Sequence, residues 1–363
     1  MQRPSAIWLY KSNTNSFQDL TQNINNNSNF DFISTSSDEI FIGSENRFTG
    51  FYSDLVTGGG YSGISYSYLS RGSAWKGLQL VDNYLFDKSK YQRWNLPKEI
   101  DWGRVGFSSA FPHANANPPD INERYWVKIS ASQVTSSAIV SKFRIFSYAS
   151  YTTPDKVANF LQIKVKFDGT TKPTDLAVED LIRRGEDLID YRTKKSWRTN
   201  FITEETDPML VDYNRYGVYL RHRNFIKIYS IQLWTGSAWQ TLVEGKNSDF
   251  FVNYDLGMIY FTRMFTLPVV YGIAGRYYQY NMGEFKNSIK VDYVYGRDPE
   301  VDPEFYIVED ITTKLASRDI LQHHDYSMLV SSGSDRVSLE SKVRLLTEET
   351  DQKIDSLAGI SLY

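Results

Sequence analysis

The sequence predicts an α+β protein: an N-terminal all-β, sandwich-like domain over residues 1–151, then a helix-bundle domain over 152–363 with a β-hairpin or sheet inserted at about 210–296. Three observations lead there. Aromatic and β-branched residues alternate with polar ones before residue 151, as on half-buried strands. At "TTPDKVANFLQI" the spacing of apolar residues changes to that of a helix. With 363 residues the chain also exceeds the roughly 250–300 at which a single core stops growing.

The elements follow in order. Residues 11–37 are rich in Asn, Ser and Thr ("TQNINNNSNFDF") and read as loop between short strands. Strands begin at Asp38 with "DEIFIGSENRFTGFYSDL" and continue through "YSGISYSYLSRGSAW", where Tyr61, Ile64, Tyr66 and Tyr68 largely keep period two. Further strands are expected over Tyr125–Val134 and Lys142–Tyr151, with the Pro-rich loop "FPHANANPPD" ahead of them. Thr153 is placed to cap a helix that starts on Pro154. In "KPTDLAVEDLIRRGEDLIDYRTKKSWR", Thr174 or Asp175 caps a longer helix, and Val178, Leu181, Ile182, Ile189 and Thr193 form its apolar stripe. Strands return in "GVYLRHRNFIKIYSIQLWTGSAWQTL" and "DFFVNYDLGMIYFTR", turning at "TG" and "YDLG". Two helices close the chain. One starts at Pro303 with Phe305, Val308, Ile311 and Leu315; the other starts near Ser338 with Leu339, Val343, Leu346, Ile354 and Leu357.

Composition narrows the function classes. A formal charge of −3 lacks the basic footprint of a dedicated nucleic-acid binder, yet suits a protein that surrounds DNA without gripping it. The absence of Cys removes disulfides, thiolate catalysis and cysteine metal sites. Aromatics at 15%, with 26 Tyr, point to β-structure and interfaces. The apolar stretch in "MQRPSAIWLYKSN" is too short for a signal peptide, and no run nears the ~18 residues of a membrane helix. A soluble protein made in a cytoplasm is therefore expected.

No segment carries catalytic chemistry on its face. "GGGYSG" (Gly58–Gly63) matches G-x-G-x-x-G, but a strand follows it, so no helix N-terminus would hold a pyrophosphate; a β-loop is the better reading. His113, His222, His323 and His324 are scattered, and adjacent helical residues point about 100° apart, so the last two share a metal poorly. "DPEVDPE" (Asp298–Glu304) lacks the central Gly and ligand spacing of a calcium loop and fits a stiff connector before a helix. Neither an enzyme nor a cofactor is expected; an enzymatic reading would need a carboxylate pair across a cleft of the β-domain. "GSAW" occurs twice, at Gly72–Trp75 and Gly236–Trp239, and is read as a shared turn solution, not as a duplicated module.

Charges on the long helix alternate in sign. Arg183, Arg184, Glu186, Asp187, Asp190 and Arg192 suit a solvated face, or ion pairs between subunits of a ring. At the C-terminus Gly359 is suited to ending a helix, and Ile360, Ser361, Leu362 and Tyr363 alternate as an extended docking peptide would.

The phrases "PDKVANFLQI…KPTDLAVEDLIRRGEDLIDYRTKKSWR", "DFFVNYDLGMIYF" and "VEDITTKLASRDIL…SLESKVRLLTEETDQKIDSL", in that order, resemble the head-to-tail adaptor (connector) proteins of tailed viruses. The resemblance covers about residues 152–363. "DEIFIGSENRFTGFYSDL" and "ERYWVKI" are similar to β-modules of virion structural proteins. The resemblance implies a homo-oligomeric ring, dodecameric in the family, seated below the portal protein in the virion neck. Double-stranded DNA would pass through it without sequence-specific binding, other neck or tail proteins would attach below, and no membrane would be involved. It also implies that Gly359–Tyr363 engages the portal. The alternative is a tail or baseplate component whose aromatic β-domain contacts glycan or another virion protein.

Overall fold

Alternating side chains build the strands of this molecule, and they dominate it: among the described residues strand accounts for 41% and helix for 26%. The structure is a computed structural model. It describes residues 2–363 apart from 82–83, 98–100, 107–122, 164–165, 194, 206–209, 213–216, 221, 223–224, 235–236, 255–256, 263–288, 298–301, 324–335 and 360–363. Two compact units are present. One joins Met1–Lys195 with Pro299–Tyr363; the other is Ser196–Asp298.

The first unit opens with β1 (Ala6–Lys11), β2 (Ser16–Asp19), the short helix α1 (Thr21–Asn25), β3 (Phe30–Asp31), β4 (Glu39–Ser44) and β5 (Phe48–Thr57). Then come β6 (Gly60–Leu69), β7 (Trp75–Gly77), β8 (Lys90–Arg93), β9 (Val105–Gly106), β10 (Glu123–Ser136) and β11 (Ile139–Ser147). One antiparallel sheet runs β2-β1-β4-β10-β6-β7, with β9 also on β10; the second runs β3-β11-β5-β8. Period two decides which side chains meet. Ile7, Leu9, Ile40, Ile42, Val127 and Ile129 leave the first sheet on one side and share a core with Phe51, Val140 and Phe143 of the second. Phe51 stacks on Phe143 with centroids 4.7 Å apart. The opposite side of the first sheet carries a second aromatic layer of Tyr10, Phe41 and Trp126, with Trp8, Phe17 and Trp75 packed against it. Gly43 permits this layer, because a Cβ there would lie 2.6 Å from the Trp126 ring. Gly58 and Gly59 join β5 to β6, and Gly60–Gly63 already belongs to β6, so a strand and not a helix continues the segment.

Helices of the same unit are α2 (Pro154–Phe160), α3 (Asp175–Thr193), α4 (Phe305–His323) and α5 (Arg336–Gly359). Their starts follow capping chemistry. Thr153 Oγ1 accepts the Lys156 N–H at 3.3 Å, and Thr174 Oγ1 accepts the Ala177 N–H at 3.2 Å. Val157, Ala158, Val178, Leu181, Ile182, Ala316 and Ile320 form the common core of α2, α3 and α4.

Ser196–Asp298 holds β12 (Asn200–Glu205), β13 (Leu210–Asp212), β14 (Gly217–Tyr219), β15 (Phe225–Trp234), β16 (Trp239–Thr241), β17 (Phe250–Asn253), β18 (Met258–Phe261) and β19 (Ile289–Tyr295). They make two antiparallel sheets, β12-β19-β15-β16 and β13-β14-β18-β17. Ile231, Leu233, Phe250, Ile259, Val291 and Tyr293 share one core. The unit begins and ends at one place, since the Arg297 N–H donates to the Ser196 carbonyl at 2.8 Å. The "YDLG" turn closes with Gly257 at φ +60°, its N–H donating to the Tyr254 carbonyl at 3.3 Å. The expected "TG" turn falls at 235–236, outside the described residues.

Each "GSAW" Trp opens a three-residue strand at a sheet edge. Each also lies beneath a lysine from the strand two positions in: Lys128 Nζ is 5.4 Å from the Trp75 centroid, and Lys290 Nζ is 4.7 Å from that of Trp239. The shared feature is thus a hairpin with a capped aromatic.

The expected class, an all-β domain followed by a helix-bundle domain, is corrected. The protein is mostly β, with four antiparallel sheets among the described residues. The helices form no separate bundle domain, because they share a unit with the N-terminal sheets. Leu176 of α3 enters the sandwich core, and Asp155 in the first turn of α2 binds Arg104 at 2.9 Å. The observed units also divide at Lys195/Ser196 and Asp298/Pro299, where the sequence suggested 151/152. The inserted strands start at Asn200, earlier than the expected 210. Within 11–37 the Asn-rich stretch contains β2, α1 and β3.

Candidate functional site: the two faces of helix α3

Helix α3 is buried along one face, while several side chains of the other are exposed. Residues 175, 179, 182, 186, 189 and 193 fall on one stripe at helical spacing. Ile182 and Ile189 are buried there, as the apolar pattern requires. Three carboxylates lie in the same stripe: Asp175, Glu179 and Glu186 are all at most 1% exposed. Buried carboxylates require partners, and the β-sandwich supplies them.

Asp175 accepts from Arg71 Nη2 at 3.1 Å and from the Tyr125 hydroxyl at 3.0 Å. Glu179 accepts from the Arg47 backbone N–H at 3.0 Å and pairs with the Arg47 guanidinium, which also reaches Asp180 at 3.3 Å. Glu186 takes the backbone N–H groups of Ser150 and Tyr151, the latter at 2.7 Å. Asn46 closes the seam from the other side, donating to the carbonyls of Ala149 at 2.8 Å and Thr152 at 3.1 Å. The Tyr148 ring lies near two guanidiniums, its centroid 4.7 Å from the guanidinium of Arg47 and 5.7 Å from that of Arg183.

Electrostatics follow from burial. Desolvation pushes the Glu179 carboxyl up to about 6, against the pull of Arg47. Burial also works against the Arg47 cation, but the charge and hydrogen bond of Glu179 outweigh it and hold the guanidinium above its ordinary value. The pair is ionised at neutral pH, and its carboxylate is the group that gives way on acidification. Burial, then the charges of Glu179 and Asp175, raise the Tyr125 phenol well above its usual range.

The six charges expected at a ring interface are divided between the two faces. Glu186 is used inside the seam, and Asp190 accepts from the Tyr151 hydroxyl. Arg192 binds Asp351 and Asp355 of α5. Arg183 is about one-third exposed; it donates to the Tyr148 carbonyl at 3.0 Å and lies 3.6 Å from Asp187. Arg184 and Asp187 are exposed. On the same side stand Leu188, 36% exposed, and Tyr191, 71% exposed. Gly359 is the last residue of α5, and Ile360, Ser361, Leu362 and Tyr363 lie outside the described residues.

Sequence reasoning missed the seam. Its signal was present, because Glu179 and Glu186 stand three before and four after Ile182, in the apolar stripe itself.

Other candidates resolve simply. His222 stacks on Tyr295 at 3.7 Å, His323 ends α4, and His113 and His324 lie outside the described residues. Among the described residues no group of three or more His, Asp or Glu could hold a metal ion, and no helix is long and apolar enough to cross a membrane. No protein-family model matches the chain, and no curated protein matches it in sequence.

Proposed function

We propose that this protein is a structural component of a virion: a non-enzymatic head-to-tail connector whose copies form a ring below the portal, continue the DNA channel, and carry further neck or tail proteins. One observation carries the reading. Helices α2 and α3, an inserted β unit, then α4 and α5 follow each other in the order on which the resemblance to connectors rests. Further support comes from α3, whose outer face exposes Arg184, Asp187, Leu188 and Tyr191. A net charge of −3 suits DNA in transit, because tight duplex binding draws on many Lys/Arg–phosphate contacts.

The portal contact in this reading is Gly359–Tyr363. Thr350, Ile354 and Leu357 seat α5 without that segment, so its deletion should leave folding intact and abolish attachment to DNA-filled, portal-bearing heads. Undiminished attachment of the truncated chain removes the segment from the dock.

The aromatic outer layer of the seven-stranded sheet favours a second reading, a tail or baseplate component that contacts glycan or another virion protein. Enrichment of the chain at the distal end of the tail selects it.

A further inference from the structure

The two "GSAW" segments sit in the same three-stranded register, one in each unit. In the first, Trp75 pairs with Leu69, Gly77 pairs with Ser67, and Ser67 pairs in turn with Lys128. In the second, Trp239 pairs with Trp234, Thr241 pairs with Gln232, and Gln232 pairs in turn with Lys290. Two residues further along, Ser65 pairs with Ser130 and Ser230 with Asp292, each joined by a side-chain hydrogen bond of 2.8 Å. One scaffold thus carries two sets of side chains. Around Trp75 the chain fills it from within: Leu69 and Phe41 are buried in the same aromatic layer, and the Phe41 ring lies 5.7 Å from that of Trp75. Around Trp239 the place of the leucine is taken by Trp234, that of the glycine by Thr241 and that of the serine by Gln232.

We propose that the outer face of β15 and β16, centred on Trp234 and Trp239, binds a neutral saccharide built of pyranose rings. The alternation of β15 puts Ser230, Gln232 and Trp234 opposite Ile231 and Leu233, which fill the core. Strand pairing places Trp239, Thr241 and Lys290 on that same outer face. The two indoles lie 5.4 Å apart at 54°, and neither belongs to the core of the unit. Both are half-buried, as is Gln232, while Thr241 is exposed. The chemistry of this face selects the ligand. A pyranose ring presents a plane of C–H groups within a rim of hydroxyls. The indole pair offers apolar ring surface, and the Gln232 amide, the Thr241 hydroxyl and the Lys290 ammonium offer donors and acceptors beside it. Lys290 also stands 4.7 Å from the Trp239 centroid, which holds that ring in place. Charge disfavours other occupants. Lys290 and Asp292 alternate on one strand, so the face lacks the basic groove that tracks a nucleic-acid backbone. Short side chains on flat strands form a shelf, whereas a protein anchor fills a desolvated pocket. The inference does not depend on the connector reading, and it concerns a different unit from the aromatic layer of the second reading.

The test uses the full-length protein, fluorescently labelled, on a printed array of purified neutral and acidic polysaccharides. The wild type should bind at least one neutral hexose polymer. Trp234→Ala and Trp239→Ala should each weaken that binding by about tenfold or more, the loss expected of an aromatic anchor. Trp75→Phe, at the equivalent place in the first unit, should bind like the wild type. Gln232→Arg keeps the strand and the core but puts a long charged side chain across the shelf, so it should abolish binding with an unchanged melting temperature; it decides the matter if either alanine variant melts early. Failure to bind any polymer on the array, binding confined to acidic polymers, or full binding by Gln232→Arg overturns the inference. None of these outcomes bears on the connector reading, which is decided by position in the particle.

Discussion

Replacing Arg47 with leucine leaves the Glu179 carboxylate buried without its counter-ion. Arg47 is 2% exposed and Glu179 is fully buried, so water cannot take over the lost interaction. Removing one partner of such a pair costs about 3–5 kcal/mol. For a folding unit of this size, about 2–4 °C per kcal/mol turns that into a loss of roughly 6–20 °C in melting temperature at pH 7. The loss should depend on pH. In the wild type the Glu179 carboxyl titrates near 6, above its ordinary 4.5. The folded state therefore binds this proton more tightly than the unfolded chain. The resulting contribution, of order 2 kcal/mol, is fully present below pH 4.5 and is lost as pH rises through 6. Without Arg47 the folded pKa rises further. The variant thus gains more than the wild type as the medium is acidified, and the gap between them narrows from pH 7 to pH 5. Thermal melts of both proteins at the two pH values measure this directly. Adding Glu179→Leu to Arg47→Leu should recover part of the stability at pH 7, because it removes the stranded charge but also the acceptor of the residue 47 backbone N–H. A loss under about 1 kcal/mol at pH 7, or a gap equal at both pH values, would refute the reasoning.

Other perturbations have smaller, local signatures. Glu186→Ala strands the Ser150 and Tyr151 N–H groups and should cost about 1–3 kcal/mol in chemical denaturation, with Glu186→Gln milder because it keeps an acceptor. Thr153→Ala removes the cap of α2 and should cost about 1 kcal/mol by the same measurement. Gly43→Ala forces the Trp126 ring to move and should cost about 1–3 kcal/mol, with a change in tryptophan fluorescence.

Local chemistry made much of this fold legible. Thr153–Pro154 and Thr174 mark helix starts through capping, which needs only neighbours in sequence. Tyr61, Tyr66 and Tyr68 reveal a strand because one face of it is buried. Legibility ended where distant segments meet. The helical stripe of α3 shows that something covers it, but not that Arg47, Arg71 and Ser150–Tyr151 do so, and the wrong class followed from giving those helices only each other as partners. The short β2, α1 and β3 were hidden because their polar composition matches a loop. Of the charges placed at a ring interface, spacing alone could not separate Arg184 and Asp187, which face out, from Glu186, which faces in. The carboxylates in the apolar stripe were the available warning that the inner face is polar.

Whether the protein sits at the neck is decided by reconstruction of an intact particle without imposed symmetry at the portal vertex. A connector would form a single ring of copies at the neck, directly below the portal and around the DNA channel, with density for the chain confined to that vertex. Copies along the tail, at its tip, or spread over the capsid shell would contradict the connector reading.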